Sequence, residues 1–178
     1  GHYAMGGGVL AKKRRQEAKD AAKALGIAEY EVLDNHDGEL FPTLNVRLEV
    51  IRRIREWDAD IVLGLRPNDY HPDHRNAGSV VQDAAYMNIV PNVAPDTPPL
   101  EKNPVFLYMS DHFKKPYPFQ KDIAVIVDDV IDTKVKGLAA HDSQMFEWLP
   151  WTNGVDVSTI PTDEQERLKW LKEKWMNR

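Results

Sequence analysis

Ile61-Val62-Leu63-Gly64-Leu65 runs without a break into Arg66-Pro67-Asn68-Asp69-Tyr70-His71-Pro72-Asp73-His74. Five apolar positions in succession, then a polar stretch, then a helical pattern to about Met87, read as a parallel strand covered on both faces that feeds a loop and a helix. The helix is expected from about His74, and Pro72 suits its first turn, where a missing N–H costs nothing. Outward from this unit, Val105–Met109 and Ile123–Val127 read as two more buried-type strands, and Glu31–Asp34 as a short one. Helices are expected from about Gly8 to Leu25, closed by Gly26, from Leu44 to Trp57, and from Asp132 to Glu147. Leu44, Leu48, Ile51 and Ile54 would form the buried face of the second of these. A last helix opens at Thr162 on the capping box Thr162-Asp163-Glu164-Gln165 and presents Leu168, Leu171 and Trp175. Strands alternating with helices give the α/β class with a mainly parallel sheet, in a single domain over residues 1–178. The alternation starts on a helix, whereas doubly wound sheets grow outward from a central first strand. A first strand–helix unit is therefore expected ahead of Gly1.

The 178 residues carry 23 Lys+Arg against 28 Asp+Glu, a net charge of −5, which speaks against a nucleic-acid-coating surface. No apolar run approaches the ~18–20 residues of a membrane span. Neither nucleic acid nor membrane is expected as a partner. With no cysteine in the chain, disulfides, Cys-zinc sites and thiol chemistry are excluded.

In open parallel sheets ligands bind beyond the carboxyl ends of the strands, which is where Asp69, His71, Asp73 and His74 fall. Three residues apart, His71 and His74 lie on one face if their turn is helical. Asp73 between them could hold an imidazole in one tautomer. The simpler alternative is a polar helix N-terminus in which Asp73 favours the dipole. Arg14 and Glu17 fall on the inward stripe Leu10, Arg14, Glu17/Ala18, Ala21, Leu25, where a long charged side chain is costly unless paired. They read either as a structural ion pair or as an arginine that holds a substrate oxygen in a polar cleft. His141 shares a helix face with Leu138 and Met145, as a core residue or as part of a site. His2, His36 and His112 have no organised context and are expected at the surface or in loops. The Pro-rich loop 90–104 is expected to bear on specificity. Trp148, Leu149 and Trp151 could seat a partner subunit or form core.

These residues resemble the LmbE-like, or PIG-L-type, N-deacetylase family. The matches are Arg14-x-x-Glu17-Ala18 with Ala21-Ala22 and Leu25-Gly26, Asp37 with Gly38-x-Leu40, Pro67-x-Asp69-x-His71-Pro72-Asp73-His74, and Lys136 onward to His141-Asp142-Ser143-Gln144. The resemblance implies a Rossmann-like three-layer α/β sandwich. It also implies zinc-dependent hydrolysis of an acetamide on a small acetylated amino sugar of the N-acetylglucosamine type. On this likeness His74 is a zinc ligand, and His71 stabilises the oxyanion and protonates the leaving amine, oriented by Asp73. Arg14 contacts substrate, with Asp69 and His141 supporting. The family's His-Pro-Asp-Asp segment, source of two more zinc ligands and the general base, does not occur in these residues and is expected upstream of Gly1. The full-length protein is then a metal-dependent amidohydrolase, expected as a homo-oligomer with the cytoplasm as default location, and the 178-residue chain alone is inactive. A non-catalytic carbohydrate- or partner-binding relative and a metal phosphoesterase are the competing readings.

Overall fold

A computed structural model describes residues 1–175. Its elements are α1 (Gly7–Leu25), α2 (Leu44–Glu56), β1 (Ile61–Gly64), α3 (Pro72–Met87), β2 (Val105–Tyr108), α4 (Ile131–Ala139), a π-helix (Ser143–Trp148), α5 (Leu149–Thr152) and α6 (Glu164–Trp175), with short 3₁₀ turns between. Mixed helices and a parallel strand pair give the α/β class read from the sequence. The chain divides into two compact units, Asp34–Ala124 and Gly1–Leu33 with Val125–Arg178.

In the first unit β1 and β2 pair in parallel, Ile61 opposite Val105 and Gly64 opposite Tyr108. Val62 and Phe106 turn toward a core of Ile51, Ile54, Ala84, Ala94 and Leu100. The other face is open: Ile61 is 59% exposed, Leu63 58% and Val105 54%. The expectation of cover on both faces is therefore corrected, because α2 and α3 pack on one side only among the described residues. In α2, Ile51 and Ile54 are buried as expected, Leu48 is half-buried and Leu44 is exposed. Two glycines bring α3 onto β1. A Cβ at Gly64 would stand 2.9 Å from Val81, and one at Gly78 only 2.5 Å from the Leu65 carbonyl oxygen. This close approach fixes the start of α3 at the carboxyl end of β1.

The Pro-rich loop 90–104 is folded inward rather than free. Ala94, Thr97 and Leu100 are buried, and the Leu100 N–H donates to the Asn88 carbonyl at the far end of α3. A 16-residue helix is about 24 Å long, so this loop lies well away from the N-terminus of α3. The loop thereby forms part of the packing of this unit.

In the second unit, Val135, Met145, Phe146, Ile160 and Leu171 form the core. Along α1 the buried residues are Glu17, Ala18, Ala21 and Ala22. Leu10 is half-buried, and Leu25 is partly exposed while touching Gly137. The helix expected over 132–147 is interrupted, for a definite reason. The Ser143 N–H donates to the Glu17 carboxylate, 2.8 Å away, instead of to a carbonyl one turn back. A side chain inserted into the helical ladder breaks it, and the chain resumes as the π-helix. α6 opens on Asp163, whose carboxylate accepts from the Gln165 and Glu166 N–H groups, rather than on Thr162. Leu171 is buried and Leu168 packs beside it; Trp175 closes the helix, and its side chain lies outside the described residues.

Two expected strands are absent. Glu31–Asp34 and Ile123–Val127 are irregular, with Val32 45% and Ile126 87% exposed. A strand exists through its ladder, and among the described residues the ladder joins only β1 and β2. His2 lies in an irregular segment as expected, but not at the surface. Its side chain is 1% exposed, its Nδ1 accepts from the Ala4 and Met5 N–H groups, and its Nε2 donates to Glu147 at 2.7 Å.

Candidate active site

The loop after β1 enters α3 through His71, which caps the helix with its own ring: the Asp73 N–H donates to His71 Nδ1 at 3.2 Å. Pro72 occupies the first helical position as expected, two residues ahead of the start read from the sequence. One turn on, His74 Nδ1 lies 3.1 Å from Asp69 Oδ1, which also accepts the His71 N–H at 2.9 Å. The two rings are 4.8 Å apart between centroids, so the spacing does place both imidazoles on one face.

These partners assign the protons. A carboxylate only accepts, so the neutral His74 ring carries its hydrogen on Nδ1 and leaves the Nε2 lone pair free to bind. His71 is the reverse: its Nδ1 accepts a backbone N–H, so the neutral ring carries its hydrogen on Nε2 and donates from there. Two adjacent histidines are thus held in opposite tautomers, one an acceptor at its tip and the other a donor.

The Asp73 carboxylate does not hold an imidazole. It accepts from the Gly38 N–H at 2.7 Å and the Leu40 N–H at 3.2 Å, while Asn76 donates to the Leu40 carbonyl. Gly38 has φ of 89°, a left-handed conformation that favours glycine. Asp69 orients the His74 ring, the His71 ring is fixed by the Asp73 backbone N–H, and the Asp73 carboxylate staples the loop 37–40 to α3. The stapled loop brings Asp37 Oδ1 to 4.0 Å from His71 Nε2. Sequence reading matched Asp37 and assigned it no role; the left-handed Gly38 beside it was the available signal of a fixed turn.

At the end of β1, buried Arg66 grips the loop 111–119. It meets both oxygens of Asp111 at 2.6 and 2.5 Å and donates to the Phe113 and Tyr117 carbonyls. This hydrogen-bonded guanidinium holds the Asp111 carboxyl below the usual carboxylate range. Phe113 in turn lies 6.3 Å from Tyr70, whose ring stands edge-on to both imidazoles.

The remaining expected residues lie in the other unit. Arg14 is engaged rather than extended into a cleft: it donates to the Gln144 side chain and the Gly1 carbonyl, 3.7 Å from Glu17. Glu17 is 5% exposed and accepts from both the backbone and the hydroxyl of Ser143. The Arg-x-x-Glu and His-x-Ser-Gln motifs are thus each other's partners. His141 is half-buried where α4 meets the π-helix, and its carbonyl accepts from Gln144 and Met145.

A catalytic zinc takes about three protein ligands and keeps one position open. His74, with Nδ1 fixed by a carboxylate and Nε2 unprotonated, has the form of one such ligand. Among the described residues no group of three His, Cys, Asp or Glu could hold a metal ion. The described residues alone therefore do not fit a complete zinc centre.

Residues 2–85 match the family model described as PIG-L, GlcNAc-PI de-N-acetylase. Over 83% of its length the chain is 30% identical to a diacetylchitobiose deacetylase of Thermococcus kodakarensis, and it spans 56% of that protein. It is 27% identical, over 94% of its length and 74% of the relative's, to a probable N-acetyl-alpha-D-glucosaminyl L-malate deacetylase 2 of Bacillus cereus. Its fold is similar to that of the N,N'-diacetylchitobiose deacetylase of Pyrococcus horikoshii. The TM-score is 0.69 at 23% identity, over 98% of this chain and 58% of that one. The chain is thus similar to the PIG-L, or LmbE-like, family over residues 2–85 and shares the fold of a solved deacetylase.

Proposed function

We propose that the protein hydrolyses the acetamide of a small amino sugar of the N-acetylglucosamine type, and that His71 and His74 form one side of its reaction centre. The observation that supports this most is the pair of opposite tautomers at the carboxyl end of β1. The names of the relatives support the substrate class, since both curated proteins are described as deacetylases of acetylated glucosamine compounds.

In the proposed chemistry His71 Nε2–H donates to the amide oxygen as it becomes anionic, a fixed donor aimed at developing charge. His71 also delivers a proton to the leaving amine. That proton is the one lost by the water that adds to the amide carbon. It makes the ring doubly protonated and passes from Nε2 to the amine nitrogen as the C–N bond breaks and acetate leaves. A protonated Nδ1 cannot accept the Asp73 N–H, so the cap of α3 opens while the ring carries it. Asp69 keeps His74 in register, and Asp73 acts on the site through the loop 37–40. For Arg14 and His141 the family likeness alone suggests a substrate contact and a supporting role.

The zinc that the family likeness implies is proposed to take His74 Nε2 as one donor; the described residues hold no group of three that completes the set. With that set incomplete, the 178 residues alone are proposed to be inactive. In the protein as its gene encodes it, His74→Ala removes stoichiometric metal and His71→Ala retains it, measured by elemental analysis after dialysis. Metal retained by the His74 variant contradicts the assignment. A second reading, a non-catalytic amino-sugar binder, is favoured by the lack of a three-donor group among the described residues. Sugar binding without metal or acetate release in the gene-encoded protein would decide for it.

A further inference from the structure

We propose that Tyr70 and Phe113 form a wall that receives the apolar face of the sugar ring, and that Arg66 is the positioning residue that sets this wall. The proposal rests on the amino-sugar reading above. Tyr70 is 75% exposed, yet its position is not arbitrary. Its ring centroid lies 5.9 Å from that of His71 and 5.6 Å from that of His74, with interplanar angles of 83° and 80°. The ring thus stands nearly perpendicular to both imidazoles. Its backbone is held from α3, where Arg75 Nη1 donates to the Asp69 and Tyr70 carbonyls at 2.8 and 3.1 Å.

Phe113 extends the same surface, its ring centroid 6.3 Å from that of Tyr70. The loop that carries it has no regular structure. Its conformation comes from Arg66, 5% exposed at the end of β1. The guanidinium grips Asp111 with two prongs and takes the Phe113 and Tyr117 carbonyls, while the Tyr117 and Phe119 rings lie 5.6 and 5.5 Å from it. Asp111 Oδ1 also accepts the Phe113 N–H at 3.0 Å. Phe113 is therefore fixed on both its N–H and its C=O, and both loops are referenced to one point, the end of β1. A planar fork makes this clamp and an ammonium cannot reproduce it.

An exposed tyrosine with a half-buried phenylalanine beside it, next to a hydrogen-bonding pair, suits a pyranose. The C–H groups on one face of the ring carry partial positive charge and match the negative face of an aromatic ring, while the acetamide stays free to meet the imidazoles. The wall discriminates cyclic from acyclic acetamides and acts on substrate binding.

The test compares acetate release from diacetylchitobiose and from N-acetylethanolamine by the gene-encoded protein. Tyr70→Ala and Phe113→Ala each lower the cyclic-to-acyclic ratio of kcat/KM about tenfold, mainly through KM for the sugar. Tyr70→Phe keeps the ratio, because the ring and not the hydroxyl forms the wall. Arg66→Lys lowers the ratio through KM with kcat largely held. An unchanged ratio in the two alanine variants, or Tyr70→Phe as damaging as Tyr70→Ala, overturns the proposal. If the unaltered protein releases acetate from neither compound, the hydrolytic reading fails and the wall is judged separately. N-acetylglucosamine titrated into the 178-residue chain then shifts the Tyr70 and Phe113 ring signals in NMR spectra if the wall exists, and unmoved rings refute it.

Discussion

Arg55→Met lowers the stability of the chain by about 3–5 kcal/mol. Arg55 is 4% exposed, and its guanidinium donates to six backbone carbonyls: Met87, Asn88, Val90, Val93, Ala94 and Thr97. No carboxylate is among these partners, and burial lowers its pKa while Asp96 opposes the shift. Exchanging a buried ion pair for apolar residues is often neutral, because both charges leave together. Here the partners are main-chain carbonyls, which no substitution removes. Each buried carbonyl left without a donor costs about 1–3 kcal/mol, reduced where water can reach it. Against a total stability of about 5–15 kcal/mol the loss is large, and thermal unfolding should show a Tm lower by about 10 °C or more. Arg55→Lys, with three donors instead of five, should fall between. A methionine variant that melts with the unaltered protein would show that loop 90–97 does not depend on this hub.

Arg55 also shows where sequence reading stops. The pattern of α2 marked Ile51 and Ile54 as its buried face, and both are buried. Nothing in a 3.6-residue period distinguishes an arginine that wraps six carbonyls from one in solvent. The same holds for Glu17: the inward stripe placed it correctly, but that its carboxylate takes the Ser143 N–H and so breaks the helix 132–147 depends on a contact 126 residues away. Local signals fared best. Pro72 at the first turn, Gly26 as a left-handed C-cap and the i,i+3 histidines needed no distant partner. The apolar runs failed where their meaning is tertiary. Ile61–Gly64 pairs and Ile123–Val127 does not, although both are equally apolar. That the Asp73 carboxylate holds no imidazole has the same origin, since the loop 37–40 that claims it lies some 35 residues upstream.

His71→Ala in the gene-encoded protein lowers the rate of acetamide hydrolysis by about 10²–10⁴-fold, the usual worth of a positioned acid or base. The loss is expected in kcat and kcat/KM alike, because an Nε2–H aimed at the oxyanion acts on the transition state and little on bound substrate. The substitution also removes the ring that caps α3, and Ala at an N-cap costs about 0.5–2 kcal/mol. His71→Asn separates the two effects: asparagine is a good N-cap and cannot carry a proton at neutral pH. It should restore the melting temperature and leave the rate low. If it restored the rate as well, the role of His71 would be confined to capping.

The account turns on the two imidazoles being held in opposite tautomers by Asp69 and by the Asp73 N–H. The direct measurement is the ¹⁵N chemical shift and long-range ¹H–¹⁵N pattern of both rings in the 178-residue chain, at a pH where they are neutral. The predicted result is a hydrogen on Nε2 of His71 and on Nδ1 of His74, with the His74 pattern reverting toward the free-histidine mixture in Asp69→Asn. One tautomer shared by both rings, or two freely exchanging rings, would contradict the account.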